Sequence, residues 1–208
     1  MWWVEMFRWL GMASVVVWGS FVVWRRMRPE YSEEEMLSLI VGVTVVAGLG
    51  GSLAAKWVGS FGVLVPAALT LWWYCRRLEW DFWEWADVAG RVSLWVGVVI
   101  SLLVGRGWAT VGLMVMGTVM VELISRTYRR FKWYKSGKMG LIFLVVCGMW
   151  ASIEIGVETM NPLTIYWVGL TVAQWVAVVA LIMVTAAIYL RSGQTLAEQL
   201  WRKTKNLR

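Results

Sequence analysis

The chain has 208 residues, 60% of them hydrophobic, with a mean hydropathy of +0.64 and a formal net charge of +7. That apolar share is far above a soluble domain's and excludes an ordinary water-soluble enzyme. The excess positive charge lies beside apolar segments, where it meets anionic lipid and sets topology, so no nucleic-acid partner is expected.

Seven apolar stretches follow in chain order, at roughly 9–24, 36–55, 57–75, 86–104, 107–125, 139–157 and 168–190. Each approaches the ~20 residues that a membrane-spanning helix needs. The first is preceded by Glu5 and Arg8, which nearly cancel, and followed by Arg25, Arg26 and Arg28. It lacks a basic leader region and reads as a retained anchor. The second contains Ala47–Ala55 (AGLGGSLAA), almost all small, with Gly51 and Ala55 at the spacing that lets another helix approach closely. Bundle packing is the plainer reading of this run and a ligand role the alternative.

Arg76 and Arg77 close the third stretch, and Leu78–Asp87 (LEWDFWEWAD) follows. Asp81, Glu84 and Asp87 recur at three-residue steps among Trp80, Phe82, Trp83 and Trp85. This pattern predicts an amphipathic element lying at the membrane interface and leading into the fourth helix. A basic loop from Arg126 to Lys138 follows the fifth stretch, and a basic amphipathic tail, residues 191–208, follows the seventh.

Sixteen of the 20 Lys and Arg fall after the first, third, fifth and seventh stretches. The other side has Arg8, Lys56 and Arg106, and Arg91 lies within a stretch. Short loops rich in Lys and Arg stay cytoplasmic. The expected architecture is therefore an all-α integral membrane protein, a seven-transmembrane-helix bundle over 1–190 with its N-terminus outside and its C-terminus cytoplasmic. Many of the 18 Trp stand near stretch ends, where an apolar ring with one N–H suits the headgroup layer.

The chain contains no His, and Cys75 and Cys147 form no disulfide framework and have no metal-ligand spacing, so no metal or cofactor is expected. Ionisable groups inside a span are costly and are functional candidates by default. Three qualify. Arg91 is close enough to a helix end to snorkel, or it binds a substrate. Glu122 stands four before Arg126, at ion-pair spacing. Glu154, one turn before Glu158, marks a span boundary or serves a site.

In order and spacing the chain resembles the bacterial prolipoprotein diacylglyceryl transferases, which have seven spans. Gly50-Gly51-Ser52-Leu53 is similar to that family's GARL motif, with Ser52 in place of Arg. Leu78–Asp87 resembles the segment leading into its fourth helix, with Asp87 in the acidic position. Val121-Glu122 stands where the family has Tyr-Glu, Gly137–Glu154 resembles its sixth helix, and Gly169-Leu170-Thr171-Val172-Ala173-Gln174 matches G-L-T-x-x-Q. The departures are the absent His, Trp150 in place of an Arg, and Ser101 and Val104 where an Arg and an Asn fall when Asp87 anchors the alignment.

The resemblance implies transfer of a diacylglyceryl group from phosphatidylglycerol to the thiol of a lipobox cysteine, in the bacterial cytoplasmic (inner) membrane. It implies Arg91 and Glu154 as catalytic residues and Ser101, Glu122 and Gln174 as substrate-binding. Membrane phospholipid and lipobox-containing preproteins are the implied partners. The alternative is a non-catalytic bundle of the same ancestry that binds lipid or another protein.

Overall fold

The computed structural model describes residues 2–105, 107–128, 139–160 and 165–192. The basic loop at 129–138 and the tail at 193–208 lie outside the described residues. The elements in order are α1 (Trp2–Met27), α2 (Glu33–Val58), α3 (Phe61–Arg77), α4 (Phe82–Val104), α5 (Trp108–Thr127), α6 (Leu141–Met160), β1 (Ile165–Trp167), β2 (Leu170–Thr171) and α7 (Val172–Ser192). Six of these helices are long and apolar enough to cross a membrane. The seventh, α3, has 17 residues. At about 1.5 Å per residue it extends roughly 26 Å, a little short of a ~30 Å hydrocarbon core.

The helices run up and down. One end of the bundle, the tip, gathers the α2–α3, α4–α5 and α6–α7 turns. The other end, the base, gathers the α1–α2 and α3–α4 turns. α4, α5 and α6 pack on one another through Leu94, Met114, Val121, Val146 and Ile153. α7 packs on α6, and α1 packs on α4. α2 and α3 form a tight antiparallel hairpin.

The small-residue run on α2 explains this hairpin. Pro66 has no N–H to give the carbonyl of Gly62, one turn earlier on α3. Gly50 approaches that same carbonyl, and a β-carbon at Gly50 would stand 2.6 Å from it and 2.6 Å from the Pro66 ring. The Gly-rich expectation for α2 thus resolves into close packing against its sequence neighbour.

Two local segments gain detail. Leu78–Asp87 leads into the fourth helix, where Asp81 accepts from the N–H of Trp83 at 2.8 Å and starts α4 at Phe82. Its rings turn inward, with Trp85 fully buried and stacked on Trp80 at 5.2 Å. The seventh apolar stretch begins not as a helix but as a two-stranded hairpin, pairing Ile165 with Thr171. The helix starts only at Val172.

Candidate functional site

At the base, Asp87 of α4 reaches across to the start of α6. Its two oxygens accept from the N–H of Gly140 and of Phe143, both at 2.7 Å. The first N–H groups of a helix have no partner within it, and a carboxylate there also meets the positive end of the helix dipole. Gly140 has φ of +100° and lies against the Trp83 ring, where no β-carbon fits. The Arg191 guanidinium stacks 4.0 Å above the centre of that ring and donates to the Met139 carbonyl at 2.6 Å. Arg91, one turn after Asp87, and Arg191 both lie close enough for their charges to act on the carboxylate. Arg91 Nε is buried with no hydrogen-bond partner among the described residues.

Beside this junction, Tyr31 donates to Glu84 at 2.7 Å and contacts the Trp80 and Trp85 rings. Burial, and then the Glu84 carboxylate, push the Tyr31 phenol above its usual range. Met27, Met36, Leu71 and Cys75 complete a dry cluster that joins α1, α2, α3 and α4.

At the tip, Glu154 of α6 is 7% exposed and serves the start of α3. Both its oxygens stand 3.3 Å from the N–H of Ser60, and the Ser60 hydroxyl also donates to it. Gly59 has φ of +56°, and a β-carbon there would collide with Glu154 Oε1. Glycine is required at this position on both counts.

The remaining sequence candidates are engaged too. Gln174 accepts from the N–H of Thr171 at 3.0 Å, while Thr171 Oγ1 accepts from the N–H of Gln174 at 3.2 Å. This reciprocal pair is a capping box, and it sets the start of α7. Gln174 Nε2 also donates to Thr159 at 3.2 Å. Glu122 pairs with Arg126 at 3.1 Å, as the four-residue spacing predicts. Ser101 is buried and turned to Met114 Sδ at 3.1 Å. Trp150 donates to Ser93 at 3.3 Å and packs against Gly97. Arg91 and Asp87 share the base and Glu154 occupies the tip, so the structure does not bring Arg91 and Glu154 together. Among the described residues, no three Cys, Asp or Glu side chains converge as metal ligands.

A feature that sequence reasoning missed is a crevice of about 440 Å³ between the α2–α3 hairpin and the wall formed by α1 and α4. Gly19 and Ser20 of α1, Thr44 and Gly48 of α2, and Val92 and Val96 of α4 are among its lining. No charged side chain lines it. It continues past Val16, Ser20, Ile40 and Thr44 into an outer groove of about 570 Å³ along the α1–α2 seam. Arg91 lines neither space. On α4 it follows Asp87 at helical spacing, on a different face from Ala89, Val92 and Val96. The available signal was the pair of small-residue faces, Gly19-Ser20 and Thr44 with Gly48, at mid-span on two neighbouring helices.

No family model matches the chain, and neither does any curated protein or solved structure.

Proposed function

We propose that the protein is a non-catalytic multi-pass membrane protein that holds a hydrocarbon chain of a membrane phospholipid in the α1–α2–α4 crevice. The observation that carries this reading is the lining. A concave space with small polar groups only at Ser20, Thr44 and Ser93 opens along a seam between two membrane-length helices. Concave, mostly apolar pockets with a few polar groups are the usual form of a ligand site. The polar groups that the resemblance marked support it from the other side, since Glu154, Gln174 and the acidic-position Asp87 each satisfy a helix N-terminus. The same proposal sets the N-terminus outside and seven spans in the bacterial cytoplasmic membrane, on the strength of the Lys and Arg asymmetry and the resemblance given above.

Gly48 provides the test. A β-carbon there meets nothing within 4 Å, and the residue lines the crevice. Gly48→Phe is expected to fill the space without disturbing the fold. Protein purified from membranes containing phosphatidylglycerol and phosphatidylethanolamine should retain lipid in native mass spectrometry. The variant should lose that lipid at an unchanged melting temperature. Equal lipid retention in both would sink the crevice as the binding site. For topology, single cysteines at Lys132 and after Arg208 should report cytoplasm, and one at Thr159 the exterior. An external report from Lys132 would overturn the orientation.

One observation favours the second reading, diacylglyceryl transfer: the unpartnered Arg91 Nε, a donor suited to a phosphate. In that reading Arg91 binds phosphate and Glu154 accepts a proton. With charge-assisted contacts worth about 1.5–3 kcal/mol, Arg91→Ala should slow transfer of labelled diacylglyceryl to a lipobox peptide at least about tenfold. No transfer by the unaltered protein above a protein-free control excludes this reading.

A further inference from the structure

We infer that the α2–α3 hairpin is a lateral gate to the crevice, pivoting at the base and latched at the tip by Glu154. The inference rests on the lipid-binding reading and adds how the space opens.

The hairpin packs chiefly on itself. Leu39 and Leu71 hold it on the base side, Leu64 and Phe61 on the tip side, and residues of both its helices line the crevice. The two attachments differ in kind. At the base, Met36 and Cys75 of the hairpin are fully buried with Trp85 of α4, in a cluster that includes Met27 of α1. Tyr31, just before α2, adds its bond to Glu84 and its ring contacts to Trp80 and Trp85. This end holds by a broad apolar surface and can act as a pivot. At the tip, Phe61 with Val58 rests on Ala151 and Ala177, a smaller apolar contact. The polar link there is the carboxylate of Glu154, which accepts from the N–H and the hydroxyl of Ser60. The joint beside it is Gly59, held in a left-handed conformation with no room for a β-carbon.

A two-helix leaf with a broad hold at one end, and a smaller apolar contact joined by the Glu154 carboxylate at the other, is built to swing as a unit. Hinge motions of this kind are absorbed by a few residues at element ends. Opening at the tip widens the α1–α2 seam, where the inner crevice and the outer groove already meet at Ser20 and Thr44. A hydrocarbon chain then passes sideways between bilayer and crevice without its headgroup leaving the membrane surface.

The test uses the full-length protein in nanodiscs, with Cys75→Ala and Cys147→Ala to clear native thiols. Spin labels go on Trp57→Cys near the end of α2 and Met160→Cys at the end of α6, both exposed positions. Glu154→Ala and Gly59→Ala break the latch in independent ways, one by removing the acceptor and one by displacing it. Both are expected to lengthen and broaden the label distance. Both should also speed exchange of bound lipid for deuterated-chain phosphatidylglycerol, read by native mass spectrometry, by about tenfold, the loss of a charge-assisted hydrogen bond. Glu154→Gln keeps one acceptor oxygen but not the charge, and should fall between the parent and Glu154→Ala on both readouts.

A Ser60→Cys, Glu154→Cys disulfide should stop exchange when oxidised and restore it on reduction, a comparison made within one folded protein. Unchanged distances and exchange in both latch variants, or equal exchange by the oxidised and reduced disulfide protein, overturn the gate. Bound lipid with no movement removes the gate and leaves lipid binding standing. Movement without bound lipid does the reverse.

Discussion

Asp87→Ala is expected to lower stability by about 3–5 kcal/mol, the loss of two backbone hydrogen bonds to a charged acceptor. Two backbone N–H groups at the start of α6 lose acceptors that now stand at 2.7 Å. Arg91 and Arg191 lose a nearby anion. The damage reaches far because α6 is the most buried of the six membrane-length helices, with 50% of its apolar window inside the bundle. Asp87→Asn keeps one acceptor oxygen but not the charge, and should fall between the two. Unfolding in a denaturant series in detergent micelles reads the difference. An Asp87→Ala protein as stable as the parent would show that water or lipid headgroups satisfy the α6 terminus equally well.

The second large effect lies along α2, where three glycines in four residues should behave in three ways. Gly50→Leu forces a side chain against the Gly62 carbonyl and the Pro66 ring, each 2.6 Å from a β-carbon. It should cost about 3 kcal/mol or more, the upper range for overpacking, because backbone cannot step aside. Gly51 would meet only the Val63 side chain, at 2.7 Å, so Gly51→Leu should cost roughly 1–2 kcal/mol as Val63 gives way. Gly48, open to the crevice, should tolerate replacement. Melting temperatures of the three variants in detergent give the order directly. A Gly50→Leu protein that melts like the parent would mean that this face of α2 looks at lipid.

Several features of the candidate site were readable because their chemistry is local. Glu122 and Arg126 pair because four residues make about one helical turn. The small-residue run on α2 signalled close approach whatever the partner. Thr171-x-x-Gln174 carries the capping-box pattern in four residues, so its helix-starting role was legible even though the stretch was read through a family motif. The crossing partners were not legible. Asp87 lies 53 residues from Gly140, and Glu154 lies 94 from Ser60. Nothing in the spacing along the chain distinguishes a carboxylate that caps a distant helix from one that waits for a substrate.

By itself, the sequence determined the solvent and most of the helices. Apolar runs of membrane length can satisfy their backbone groups in hydrocarbon only by coiling, so composition and length suffice to specify helices there. Only the tertiary structure decided the rest. It turned Trp80 and Trp85 inward, which the three-residue spacing of the acids in Leu78–Asp87 did not foretell, because a ring's burial depends on Tyr31 arriving from another turn. It separated Arg91 at the base from Glu154 at the tip. It also opened a crevice between α1, α2 and α4, since empty volume belongs to no residue and arises only where three helices fail to meet.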